Sequence, residues 1–126
     1  MAKIAVIGGG AAGMKFSTQY KKMNPGDEIF IFEKTPYVAW AGCPTPYYIA
    51  GELGFGSVVL GTPDEFRSRG LNVLVNHEVK KVDFEKKELE ISGAEINGAF
   101  QYDKLILAFG GKSFVPNIKG YKDGLE

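Results

Sequence analysis

Gly8, Gly10 and Gly13 stand at G-x-G-x-x-G spacing between an apolar run, Ile4 to Ile7, and a stretch from Ala11 to about Met23 that reads as a helix. That placement constrains the fold more than any other feature of the chain. An apolar run closed by glycines, Lys3 to Gly8, reads as a buried strand. Asn24, Pro25 and Gly26 end the helix with turn chemistry, and Glu28 to Glu33 carries Ile29, Phe30, Ile31 and Phe32 as a second buried strand. Strand, helix and strand within about thirty residues form a βαβ unit, whose crossover makes the two strands parallel.

Each glycine has a physical task. Gly8 permits the tight turn, Gly10 lets backbone amides approach a pyrophosphate, and Gly13 allows the helix to pack closely on the sheet. Amide donors and the positive end of the helix dipole then hold the phosphates. Glu33, twenty residues after Gly13 at the end of the second strand, is placed to accept hydrogen bonds from a ribose diol. Glycine is abundant, at 17 of 126 residues, so the spacing alone would be weak. The strand, helix, second strand and terminal acid in register make dinucleotide binding the expected property. These residues leave FAD and NAD undistinguished, since both are held by the same physics.

The remainder reads as one domain, because 126 residues leave no room for a second core. From Lys34 to Gly61 the pattern is irregular, with a short helix after Cys43. Thr62 and Pro63 open a helix running to about Arg69 and closed by Gly70. Asn72 to Asn76 reads as a parallel strand. Glu78 to Phe84, Lys87 to Ser92 and Phe100 to Tyr102 read as a small antiparallel meander, and Leu105 to Phe109 as a further, fully buried strand ending at Gly110 and Gly111. The fold class expected is α/β. Fifteen basic residues against fifteen acidic give no electrostatic case for nucleic acid. The N-terminus shows neither a signal-peptide core nor a membrane span, and a single cysteine fits a reducing compartment, so a cytoplasmic protein is expected. His77 has no Cys or acid at metal-ligand spacing, and no metal site is expected.

Two further segments carry a family resemblance. Tyr102 to Gly111, YDKLILAFGG, is similar to the Tyr-Asp-Lys-Leu-Ile-Leu-Ala-Thr-Gly-Ala stretch that closes the first half of the FAD domain in two-dinucleotide-binding flavoproteins. Pro36 to Ala50, PYVAWAGCPTPYYIA, resembles the Pro-Tyr-x-Ser-Phe-x-Asn-Cys-Gly-Leu-Pro-Tyr-Tyr-Ile block of coenzyme A-disulfide reductases, NADH oxidases and persulfide reductases. These are the single-cysteine pyridine nucleotide–disulfide oxidoreductases. The resemblance covers essentially the whole chain and implies a Rossmann-like FAD-binding half-domain over residues 1–126. In the family a nicotinamide domain, the second FAD half and a C-terminal dimerisation domain follow; no second G-x-G-x-x-G occurs here, so this chain is expected to be the N-terminal part alone.

What the resemblance implies about function is specific. The complete enzyme would take FAD and NAD(P)H, act as a homodimer, and reduce a small-molecule disulfide, persulfide or oxygen, with coenzyme A a candidate substrate. Cys43 would be the redox nucleophile; its place before Pro44, Thr45 and a helix could put the sulfur where a helix N-terminus stabilises a thiolate. The implied cofactor contacts are Gly8, Gly9, Gly10, Ala11, Ala12, Gly13, Phe32, Glu33, Lys34, Val79, Ala108 and Gly110. The implied substrate contacts are Lys15, Gln19, Lys22, Ala39 and Gly42; for the three on the helix, a plain solvated face is the alternative. Trp40 is a candidate to cover the flavin ring, and Tyr47 and Tyr48 read as packing residues. The chain departs from the family where Ala39 and Gly42 replace Ser and Asn, where Pro44-Thr45 replaces Gly-Leu, and where Phe109 replaces Thr. Those departures keep open a second reading, a non-catalytic Rossmann-type binding module that has lost flavin chemistry.

Overall fold

The structure, a computed structural model, describes residues 1–120, so the domain bound expected at residue 126 lies outside the described residues. The elements run β1 (Lys3–Ile7), α1 (Ala11–Met23), β2 (Glu28–Glu33), α2 (Thr45–Ile49), a 3₁₀ turn (Phe55–Ser57), α3 (Pro63–Ser68), β3 (Asn72–Val75), β4 (Glu78–Asp83), β5 (Glu88–Ser92), β6 (Gly98–Gln101) and β7 (Lys104–Leu107). Four strands form a parallel sheet in the order β3-β2-β1-β7, and β4-β5-β6 form a separate antiparallel sheet.

The strands of the parallel sheet read as continuous apolar runs because both faces are covered. Ile4, Val6, Ile29, Ile31 and Val73 pack with Met14, Phe66 and Leu71 on the helical side. Ala5, Ile7, Phe32 and Leu74 pack with Leu89, Ile91 and Tyr102 on the meander side. Each fully buried Ile or Val contributes about 2 kcal/mol, so the two clusters together clamp β1 and β2 into the centre. α3 begins as the sequence indicates: the Thr62 hydroxyl accepts from the Glu65 amide at 3.2 Å and the Glu65 carboxylate accepts from the Thr62 amide at 2.6 Å.

Two expectations are corrected. The last meander strand begins at Gly98 rather than Phe100, because Ile91 pairs with Gly98 across β5 and β6. β7 is not fully buried and does not reach Phe109. Among the described residues it is an edge strand with only β1 beside it, and Leu107 is 52% and Phe109 66% exposed.

His77 is a buried structural residue whose role the spacing did not indicate. Its Nδ1–H donates to the Val75 carbonyl at 2.7 Å, and its Nε2 accepts from the amides of Glu95 at 3.2 Å and Ile96 at 3.1 Å. A carbonyl can only accept, so the neutral ring is fixed as the Nδ1–H tautomer. The imidazole thus ties the end of β3 to the β5–β6 loop. His77→Leu keeps the volume but strands one carbonyl and two amides, and is expected to lower stability by about 3 kcal/mol, read from the urea midpoint.

The start of β1 is held by Asp27, whose carboxylate accepts from the Ala2 amide at 2.9 Å and the Tyr20 hydroxyl at 2.8 Å. These bonds, the Ala2 amide first, hold its carboxyl below the usual aspartate range. A folded-state value below the unfolded one contributes stability that is complete above about pH 4 and lost as pH falls through the folded value. Asp27→Asn is therefore expected to flatten the acid limb of a stability–pH profile measured by chemical denaturation, leaving the profile near neutrality parallel to wild type.

Candidate functional site

The loop between β1 and α1 is shaped by contacts that admit no side chain. Gly8 has φ +104°, and a Cβ there would lie 2.3 Å from the Ala108 carbonyl oxygen. A Cβ on Gly13 would lie 1.9 Å from the Gly8 carbonyl oxygen, so α1 rests directly on the loop. Gly10 is different: nothing lies within 4 Å of where its Cβ would be, and the residue is half-buried. Gly10 caps α1 without a side-chain bond, and no acidic residue occupies the first turn. The amides of Ala11, Ala12 and Gly13 therefore reach the helix end with no protein acceptor among the described residues. Free donors, a positive helix end and open space beside Gly10 form an anion site.

Glu33 closes the other side. One of its carboxylate oxygens accepts from the Gly9 amide at 2.8 Å and the other from the Thr35 amide at 2.9 Å. An ionised carboxylate has about four acceptor positions, so about two remain for a diol. Gly9, Gly10, Glu33, Thr35, Tyr37 and Trp40 line a cleft of about 290 Å³, room for part of a dinucleotide rather than all of it.

The segment after β2 is stapled to this loop. The Ala39 amide donates to the Gly9 carbonyl at 2.7 Å, the Ala41 amide to Val58 at 2.7 Å, and the Leu60 amide to Ala39 at 3.2 Å. Ala39 itself holds φ +54°, a left-handed conformation that costs a non-glycine residue about 1 kcal/mol. Behind this ribbon lies a groove of about 1020 Å³ between α1, the ribbon and α3. Lys15, Gln19, Lys22 and Ala39, expected as substrate contacts, all line it. So do Lys21 and Arg69, and no carboxylate does among the described residues. Lys21 is already engaged, donating to the carbonyls of Pro25 at 3.0 Å and Asp27 at 2.8 Å. Lys15, Lys22 and Arg69 are the cations left to meet a ligand.

Other expected contacts lie elsewhere. The Phe32 side chain is buried in the meander-side core and its carbonyl accepts from the Gly8 amide at 2.9 Å. Val79 is half-buried in β4, Lys34 is exposed past β2, Ala108 backs Gly8, and Gly110 is exposed with φ +71°. Gly42 and Cys43 are exposed and outside the lining of both cavities. Cys43 precedes the N-cap Pro44 of α2, a helix of five residues. Tyr48 packs edge-on against Phe55 with ring centroids 5.9 Å apart, whereas Tyr47 is 54% exposed and not the packing residue expected. Arg69 reaches the groove from the C-cap of α3, and no local spacing in the sequence signals it. Among the described residues no cluster of His, Cys, Asp or Glu is arranged for a metal, and no helix is long and apolar enough to cross a membrane.

The chain is similar to known proteins along its length. It is 33% identical over 119 residues to an NAD(P)H coenzyme A polysulfide/persulfide reductase of Pyrococcus horikoshii, covering 94% of this chain and 26% of that protein. A coenzyme A disulfide reductase of Staphylococcus epidermidis is 32% identical over 114 residues, covering 87% of this chain and 26% of its own length. The structure of reduced Bacillus anthracis CoADR-RHD superposes with a TM-score of 0.86 at 32% identity, covering 97% of this chain and 23% of that one. The chain thus spans about a quarter of the length of the curated relatives it matches. Residues 2–126 match the family model described as pyridine nucleotide-disulphide oxidoreductase, and the chain belongs to that family.

Proposed function

We propose that this chain is the N-terminal FAD-binding part of an FAD-dependent NAD(P)H oxidoreductase that reduces a disulfide, persulfide or oxygen through Cys43. The observation that carries the reading is that Gly10, at the N-terminus of α1, and Glu33, at the end of β2, line one cleft. Family membership supports it. The residues present fit the cofactor: the Ala11, Ala12 and Gly13 amides would take its pyrophosphate beside Gly10, and Glu33 its adenosine ribose. Gly8, Gly9, Ala108 and Gly110 would border it through backbone, as would Phe32, Lys34 and Val79 at greater remove. When bound, FAD supplies the two-electron relay from NAD(P)H that restores the cysteine thiol.

With a disulfide or persulfide acceptor, the protein's own step is thiol–disulfide exchange. The Cys43 thiolate attacks one sulfur of the acceptor and forms a new S–S bond, while the other sulfur leaves as a thiolate and takes up a proton. Lys15, Lys22 and Arg69 would hold the phosphates of a coenzyme A substrate beside Gln19 and Ala39, with Gly42 outside the groove. Such an enzyme works on small molecules in the cytoplasm, as a homodimer in its complete form. Nicotinamide and dimerisation domains would lie outside these 126 residues.

The test is flavin uptake. The chain is mixed with FAD, passed through a desalting column and read by visible absorption; retained flavin supports the reading, and no uptake by this chain or by the complete protein sinks it. Glu33→Ala is expected to weaken FAD binding about 30-fold, since it removes the ribose acceptor and leaves the Gly9 and Thr35 amides unpaired. Equilibrium dialysis measures the change, and an unchanged affinity would remove Glu33 from the site.

A further inference from the structure

Among the described residues, Trp40 alone lines both cavities. It stands beside Gly9, Gly10 and Glu33 on one side and beside Lys15, Gln19, Lys22 and Arg69 on the other. We propose that Trp40 is a shared wall through which the dinucleotide cleft and the cationic groove sense each other's occupancy, with Thr45 setting its position. This rests on the functional reading above, which gives each cavity its ligand.

The anchoring of the indole is unusual for so central a side chain. Its Nε1–H donates to the Thr45 hydroxyl at 3.1 Å, and that hydroxyl donates in turn to the Ala41 carbonyl at 3.0 Å. Its backbone bridges Val59. Its ring has aromatic neighbours in Tyr37 and Phe55, at centroid distances of 6.2 and 6.3 Å, but it belongs to neither hydrophobic core cluster. The half-buried ring is thus tethered by one polar bond, flanked loosely by Tyr37 and Phe55, and borders both cavities. A ligand packed against one face restricts the ring. The second ligand then meets a wall already ordered and loses less conformational freedom on binding. Each ligand should therefore favour the other, and linkage requires the two effects to be equal.

Thr45 gives the wall its handle. It lies in the first turn of α2, two residues after Cys43, so the bond that positions the indole also ties it to the segment carrying the thiol.

The experiment uses the 126-residue chain with FAD and coenzyme A as probes. Equilibrium dialysis gives the affinity of each alone and in the presence of the other at saturation, while the emission of Trp40, the only tryptophan in the chain, is recorded in parallel. Each ligand is expected to tighten the other about fivefold, by the same factor in both directions, and each to change the indole emission. Thr45→Val removes the acceptor at nearly constant volume and should reduce the coupling to below about twofold while each ligand alone still binds. Trp40→Phe, which lacks the N–H, should also lose the coupling. Binding of both probes to wild type with no mutual effect overturns the proposal and leaves the functional reading intact, as does coupling that survives in both variants. Failure of either probe to bind wild type overturns the site assignments of the functional reading, and this proposal with them.

Discussion

Cys43→Ser is expected to lower acceptor turnover about a thousandfold in the complete protein, while FAD uptake by this chain stays within about twofold of wild type. The split follows from position. Cys43 is exposed and lines neither the dinucleotide cleft nor the cationic groove, so replacing sulfur with oxygen disturbs no contact that would hold the cofactor. What is lost is the nucleophile: a serine hydroxyl near neutral pH supplies no thiolate and cannot form the mixed disulfide. Within these 126 residues Cys43 is the one cysteine, so no second thiol of this chain can substitute. Steady-state rates with coenzyme A disulfide, a persulfide and oxygen, beside flavin content by absorption, make the comparison. Turnover that survived in the serine variant would remove Cys43 from the chemistry.

Gly13→Ala is expected to destabilise the chain by about 4 kcal/mol or more, enough to unfold much of a domain whose total stability is on the order of 5–15 kcal/mol. The added Cβ would sit 1.9 Å from the Gly8 carbonyl oxygen and 3.1 Å from its carbon. Both are backbone atoms of a loop already wedged against Ala108, so neither can step aside as a flexible side chain would. α1 would have to lift off β1, opening the contact of Met14 with the helical-side core. Gly10→Ala is the matched control. Its Cβ meets nothing within 4 Å and its φ of −74° suits any residue, so the fold should hold. The methyl group would instead intrude on the space beside the α1 amides and weaken FAD uptake. Urea denaturation of both variants separates a structural glycine from one kept for its ligand.

The contrast between these glycines shows what the sequence could and could not reveal. The β1-α1-β2 order, the fingerprint and Glu33 are local patterns, and the structure places them within a residue or so of their expected positions. The capping box at Thr62 and Glu65 was legible for the same reason. Features set by distant residues were not. β7 reads as another buried strand from Leu105 to Phe109, and only the sheet order shows that among the described residues it has a neighbour on one side alone. His77 offers no motif because its partners lie at Val75 and, eighteen and nineteen residues on, at Glu95 and Ile96. Lys15, Gln19 and Lys22 could be read as one face of α1, yet the groove they share with Arg69 exists only once α3 has packed.

The order of strands also has a temporal meaning. One edge of β1 pairs with β2, its near neighbour in sequence, but its other edge pairs with β7, where Ile4 meets Lys104 across a hundred residues of chain. During synthesis that edge stays bare until the helices, β3 and the whole meander have emerged. The Ala108 carbonyl that backs Gly8 arrives later still. The fingerprint therefore waits on residues about a hundred positions downstream, and a nascent chain carries it long before it can have a finished phosphate loop.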